Sequence, residues 1–472
     1  MASQAAGILV SLGSIPILSR LLGRDDFGLV AMVAFFTGFA NMFVDAGLTT
    51  ATIQRSCLTR QQSSNLFWAS LTLGLIVAAS VSVFSPAISW FYSEPRLTSI
   101  TLALAVNSVL AGLVMQHRAL LRRNMMLGRI AVATLLSRII GVAVAIAWAW
   151  SYYKQAADYW ALVLMPMATS LATLLLIGAM CPWLPNLPRR GAGTRSLLEF
   201  GANLTGFQFL NYFVRNGDNL LIGWWWGPEY LGVYERAYKL FMAPIRNLAS
   251  PLSGVMVPAL SRLSHEPERY RRYYLNAVGK LGLFTFPLAC FLFVAADLIV
   301  QVMLGEGWED ATPILRVLSV VGAAQGTSVT FGWLYTSQGR GADMLKWVSV
   351  AGPLLFLSFI VGLPWGPLGV AIAYAVATIS VTLPIHVWYV CRKGPIRQRE
   401  IYQTISSPLI LGLVAGCGAA GGRLFAPEVE QLTQLILAAS CGLALAVFVG
   451  ILFPSTRDVL ASLYRLIPGL PK

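Results

Sequence analysis

Residues 201–262 read GANLTGFQFLNYFVRNGDNLLIGWWWGPEYLGVYERAYKLFMAPIRNLASPLSGVMVPALSR. Two stretches, each long enough to cross a bilayer, meet at Gly227-Pro228, and both are more polar than a helix facing lipid can be. Gln208, Asn211, Arg215 and Asp218 follow at spacings of three, four and three, which puts them on one face of one helix. A charge at the bilayer centre costs at least ~2.5 kcal/mol, so that face looks onto water or a polar bundle interior. The second stretch carries Glu235, Arg236, Lys239 and Arg246, and sets Pro244, Pro251 and Pro258 at intervals of seven. Each proline removes a backbone donor and strains the preceding turn, so this helix is expected to bend. A cationic, bent pair of helices inside a membrane marks a transport path.

The surroundings fit such a path. Of the 472 residues 57% are hydrophobic and only 11% charged, against about 25% charged in soluble domains, so the fold class is an all-α integral membrane protein. Apolar runs recur at roughly 4–22, 27–52, 66–90, 97–117, 130–150, 159–181, 200–225, 231–260, 277–303, 312–336, 346–364, 368–390, 404–424 and 433–453, about fourteen transmembrane helices. The first reads as a retained span, since no basic segment or cleavage site precedes it. Six cysteines lack metal-type spacing, so no disulfide, metal site or cofactor is expected.

The connecting loops are short and their charges alternate. Every second loop, beginning after the second span, is basic: Arg55 and Arg60, then Arg118 to Arg129, Arg189 to Arg195, Arg262 to Lys280, Arg340 and Lys346, Arg392 to Arg399, and Arg457 to Lys472. These hold 23 of the 34 basic residues, while the other loops hold Arg24, Arg96, Lys154 and Arg423 beside acids such as Glu306, Glu309 and Asp310. The positive-inside rule then puts both termini in the cytoplasm. The net charge of +14 is mostly orientation signal, and nucleic acid is not a partner. Tryptophans near span ends, including Trp90, Trp150, Trp224, Trp333, Trp347 and Trp388, read as interfacial anchors.

A short repeat is visible. Leu22-Gly23-Arg24-Asp25-Asp26-Phe27-Gly28 aligns with Trp226-Gly227-Pro228-Glu229-Tyr230-Leu231-Gly232 at an offset of 204 residues. Each copy joins the first two helices of a six-helix set on the same side of the membrane, which makes the repeat parallel. The expected domains are an N-terminal lobe over 1–185, a second lobe over 186–400, and two additional helices with a tail over 401–472.

Charges left at membrane depth are Arg20, Arg138, Arg215, Arg236, Lys239, Arg246 and Arg316 against Asp45, Asp218, Glu235 and Asp297. The cationic excess suits an anionic head group, because guanidinium forks match phosphate oxygens. Arg215 with Asp218, and Glu235 with Lys239, could instead neutralise each other. Arg138 and Asp45 lack a close sequence partner, which favours a functional or cross-lobe pairing role. Asp297 sits near a span end and carries less weight. Catalytic readings find little: no phosphate loop of the GxxxxGK[ST] type occurs, and His117, His265 and His386 are isolated. Asp25-Asp26 fits a turn and helix N-cap better than a metal site, so no enzyme is expected.

The run Arg215-Asn216-Gly217-Asp218-Asn219-Leu220-Leu221-Ile222-Gly223, with Gly232-Val233-Tyr234-Glu235-Arg236-Ala237-Tyr238-Lys239-Leu240, Pro258-Ala259-Leu260-Ser261-Arg262 and the opening Ser19 to Val30, resembles bacterial polysaccharide exporters of the Wzx flippase type. Within the multidrug/oligosaccharidyl-lipid/polysaccharide superfamily it is most similar to the colanic-acid and succinoglycan branch, over about residues 1 to 400. The resemblance implies two six-helix lobes around a central cavity, plus two extra helices, in the bacterial inner membrane. It implies alternating access that moves an undecaprenyl-pyrophosphate-linked oligosaccharide from the cytoplasmic to the periplasmic leaflet. A polysaccharide polymerase and chain-length machinery follow as partners. The residue reading assigns Arg20, Arg138, Arg215, Lys239 and Arg246 to the anionic head, Gln208 and Asn211 to sugar hydroxyls, and Asp45 and Asp218 to ion coupling or charge balance. The rivals are an ion-coupled small-molecule antiporter of the same superfamily, which suits fewer cations, and a membrane polymerase, which needs a large periplasmic loop that this chain lacks.

Overall fold

The computed structural model describes residues 2–45, 48–54, 58–152, 159–189, 195–425 and 429–452, and within these the side chains at 2–5, 45, 50, 51, 54, 195–210, 246–251 and 452 lie outside the description. No strand occurs among the described residues, as hydrocarbon demands of a spanning chain whose backbone groups must be satisfied within each segment. Ten helices among them are long and apolar enough to cross a membrane, and the protein is a multi-pass membrane protein.

The chain divides into two compact units, Met1–Glu235 and Arg236–Lys472. The first holds α1 (Ala2–Leu21), α2 (Arg24–Asp45), the short α3 (Leu48–Gln54), α4 (Arg60–Tyr92), α5 (Arg96–Arg123), α6 (Leu127–Ser151), α7 (Trp160–Met180) and most of α8 (Arg195–Arg262). In it α5 packs on α2, α3, α4 and α7, and α6 lies between α1 and α7. Helix α4 begins at a capping box, with Thr59 N donating to Gln62 Oε1 at 3.1 Å and Gln62 N donating to Thr59 Oγ1 at 3.2 Å. Beyond α7 the segment 183–189 is strapped to α4 by Gln61, Ser64, Asn65 and Trp68, whose side chains bond its backbone.

The second unit holds the end of α8, α9 (Pro267–Val294), α10 (Ala296–Met303), α11 (Ala311–Ser337), α12 (Gly341–Gly362), α13 (Gly366–Val376), α14 (Leu383–Cys391), α15 (Gln398–Phe425) and α16 (Gln431–Leu452). Helix α9 packs on α11 and α15, and α15 on α16. The core between α9 and α11 is sealed by Tyr270 and Tyr274, whose hydroxyls meet Ser337 Oγ at 2.7 Å and Thr330 Oγ1 at 2.9 Å. Buried hydroxyls need such partners.

Trp-Gly-Pro occurs twice and breaks the helix in the same way each time. Gly227 has φ 84° and Gly366 has φ 77°, a left-handed setting that glycine adopts without penalty, and proline then starts the next helix. At Gly227 the chain folds back on itself. Asp218 and Tyr234 would stand ~24 Å apart on an unbroken helix, yet they touch at 2.9 Å. Helix α8 is therefore a hairpin hinged where the sequence placed the hinge.

Two expectations are corrected. Trp90 and Trp150 are 82% and 74% exposed, as anchors are, but Trp333 is buried in the α9–α11 core and donates from Nε1 to Ser253 Oγ at 2.8 Å. A helix end packed against neighbours is not at the lipid interface. Trp347 stacks on His386 at 4.3 Å, so His386 is isolated in sequence only. Asp297, given little weight, accepts from Arg423 Nη1 at 3.0 Å and from its Nη2, with Arg316 3.6 Å away, and this bracket ties α15 to α10.

Candidate functional site

The first arm of the hairpin is two-sided. Phe213 and Leu220, seven apart, line an apolar groove, while Asn211, Arg215 and Asp218 lie on the opposite side of the same helix. The groove encloses about 860 Å3 between α2, α4 and this arm, and Ser80 alone interrupts its apolar lining. Phe35, Phe36, Phe39, Phe43, Phe84 and Phe91 line it from α2 and α4, edge to face in several pairs. Such a lining takes an apolar chain rather than a sugar. Tyr212 anchors the arm by donating to the Phe35 carbonyl at 2.6 Å.

Asp218 is 4% exposed, and its Oδ2 accepts from the Tyr234 hydroxyl of the second arm at 2.9 Å while Oδ1 accepts from Asn219 N at 2.9 Å. Arg215 one turn earlier is exposed and has no hydrogen bond or ion pair among the described residues. The mutual neutralisation open to these two does not form; the fold-back brings a tyrosine to the carboxylate instead. Tyr234 was missed in sequence because sixteen residues and a chain reversal separate the pair.

Arg138, expected to serve the substrate or to pair across the lobes, donates from Nη1 to the Gly7 carbonyl at 3.0 Å and to Ser11 Oγ at 3.3 Å, joining α6 to α1 within the first unit. Its contacts at Ser11 and Gly7 lie about 14 Å and about 20 Å along α1 from exposed Arg20. Asn211 is half-buried, Lys239 is exposed and Glu235 is buried. The side chains of Asp45, Gln208 and Arg246 lie outside the described residues.

The two copies of the repeat meet. A Cβ on Gly28 would fall 1.7 Å from the Pro228 carbonyl oxygen, and one on Gly232 would fall 2.0 Å from the Arg24 carbonyl oxygen. The offset of 204 carries Gly28 to Gly232 and Arg24 to Pro228, so each contact maps onto the other with partners exchanged. This is a local two-fold relation, and only glycine permits the backbones to touch. Arg24 Nη1 lies 3.7 Å from Glu229 across it. Beside it, Arg96 Nε meets Glu94 Oε1 and its Nη1 meets Asp25 Oδ2, both at 2.8 Å. The Arg96 fork holds the Glu94 carboxyl below the usual carboxylate range. Neither acid of Asp25-Asp26 is the N-cap itself: Asp26, third residue of α2, reaches back to accept from Gly23 N at 2.8 Å, as the N3 residue of a capping box does, and Asp25 pairs with Arg96. Among the described residues no cluster of three or more metal-type ligands is present.

A family described as "Polysaccharide biosynthesis protein" matches residues 17–313. The teichuronic acid biosynthesis protein TuaB of Bacillus subtilis is 25% identical over 437 residues, covering 91% of this chain and 89% of TuaB. The lipopolysaccharide biosynthesis protein WzxC of Escherichia coli is 25% identical over 389 residues, covering 80% of this chain and 77% of WzxC. Among solved structures, the lipid II flippase MurJ in an inward closed conformation superposes with a TM-score of 0.77 at 12% identity, covering 97% of this chain and 99% of MurJ, which shows a shared fold.

Proposed function

The chain belongs to the polysaccharide biosynthesis protein family, and from that premise we propose that it is a flippase for lipid-linked oligosaccharides. It moves an undecaprenyl-pyrophosphate-linked repeat unit from the cytoplasmic to the periplasmic leaflet of the bacterial inner membrane by alternating access. The observation that carries this reading is Arg215, an exposed cation without a partner among the described residues, on a helix whose opposite face borders an apolar groove. One helix thus offers a place for an anionic head on one side and for an isoprenoid tail on the other.

The reading extends to fourteen crossings, with each arm of the α8 hairpin counted once, α13 and α14 taken together, and α3 and α10 not crossing. Residues 1–185 and 186–400 form two six-helix lobes around a central cavity, with 401–472 outside the symmetry and both termini cytoplasmic. The exchanged contacts of Gly28 and Gly232 and the alternating loop charges support this layout. Arg20, Arg138, Arg215, Lys239 and Arg246 serve the diphosphate, Gln208 and Asn211 serve sugar hydroxyls, and Asp45 and Asp218 serve ion coupling or charge balance. The product passes to a polymerase with its chain-length machinery.

The test follows the lipid-linked oligosaccharide in a strain lacking this protein. Repeat units accumulating on the cytoplasmic leaflet, with polymer lost, are expected. Single units reaching the periplasmic leaflet and staying unpolymerised would sink the flippase reading and return the polymerase class.

A further inference from the structure

The last turns of α5 hold two arginines whose guanidinium groups nothing among the described residues answers. Arg118 and Arg122 are four apart and so share one helix face, and Arg122 is the charge that acts on Arg118. Arg118 is half-buried, and its Nε is shut off from solvent with no acceptor. Among the described residues neither guanidinium makes a hydrogen bond or an ion pair. Their neighbours are answered: Arg123 Nη1 donates to the Thr52 carbonyl at 2.8 Å and Arg129 Nη1 to the Met180 carbonyl at 3.0 Å. Next to the pair, His117 Nε2 meets the Trp183 carbonyl at 3.2 Å, so the strap after α7 closes over another side of α5. Like charges at this spacing repel, and a sequestered guanidinium donor without an acceptor is costly. An anion removes both penalties.

We propose that Arg118 and Arg122 form an anion site that takes the phosphate of a lipid head group at the cytoplasmic surface, a loading position apart from the hairpin residues. The inference rests on the flippase reading for its location and for the substrate. Two guanidinium forks match phosphate oxygens in pairs, and their double charge suits a diphosphate. The same chemistry is offered by the polyprenyl diphosphate of the substrate and by an anionic phospholipid.

The full-length protein in phosphatidylcholine nanodiscs is titrated with undecaprenyl pyrophosphate, and a parallel set carries phosphatidylglycerol as the added lipid, with bound lipid counted by native mass spectrometry. Arg118→Gln and Arg122→Gln should each weaken diphosphate binding about tenfold, Arg118→Lys should lose less, and Arg129→Gln, whose guanidinium is already engaged, should leave it unchanged. Losses confined to phosphatidylglycerol would support the anion site and name phospholipid as its occupant. Binding of both lipids equal to wild type in the Gln variants, with unchanged thermal midpoints, would overturn it. A wild-type protein that binds no undecaprenyl pyrophosphate, with phosphatidylglycerol binding still sensitive to Arg118, would count against the flippase reading and leave the site standing.

Discussion

Asp218 shows how one side chain can join two helices. Its carboxylate accepts the Tyr234 hydroxyl from across the Gly227 reversal, so the bond fixes how the arms of the hairpin lie together. Polar pairs inside membranes couple by about 0.6 kcal/mol on average and up to ~1.7 kcal/mol. A double-mutant cycle of Asp218→Ala and Tyr234→Phe, read from thermal unfolding in detergent, should give coupling in that range. Strict additivity of the two losses would mean the bond contributes nothing. Arg215 has the opposite character, since the fold gives it no described partner. Arg215→Ala should cut polysaccharide export at least tenfold while leaving the protein inserted at wild-type level. Replacing Arg215 and Asp218 together with Ala and Asn should not restore export, because the two are not an ion pair; recovery in the double variant would revive mutual neutralisation.

Among elements, the Gly28–Pro228 and Gly232–Arg24 contacts leave least room for change. Helix starts that touch through backbone cannot accept a Cβ 1.7 Å or 2.0 Å from a carbonyl oxygen without separating. Gly28→Val and Gly232→Val should each reduce export at least tenfold, measured as surface polymer. Gly254→Ala is the matched control: nothing lies within 4 Å of its Cβ position, so it should be neutral or stabilising by ~0.5–1 kcal/mol. Wild-type export by both valine variants would show that the crossing does not bear on transport. Part of this was readable beforehand. Gly227-Pro228 announced its own break, because positive φ and a helix-starting proline are local properties. That the two repeat copies touch each other was not readable, since similarity between two segments carries no information about their separation in space.

For the whole molecule the charge alternation makes a definite statement about sidedness. In a variant cleared of its six cysteines, Glu306→Cys should react with a membrane-impermeant thiol reagent in intact cells, and Arg392→Cys only after lysis. Both positions are exposed, so reagent access is not the obstacle, and the reverse pattern would invert the topology. What the sequence determined by itself was what depends on neighbours along the chain. Membrane embedding follows from runs of apolar residues, the hinge from Gly227-Pro228, and the polar stripe of Asn211, Arg215 and Asp218 from helical spacing. Only the tertiary structure decided which helix each face meets. It turned Asp218 toward Tyr234, gave Arg138 to the Gly7 carbonyl, buried Trp333, and paired Asp297 with Arg423, which lies 126 residues away. The physical reason is that periodicity orients a side chain about its own helix axis, whereas its partner is chosen by packing between helices, a contest that no stretch of local sequence records.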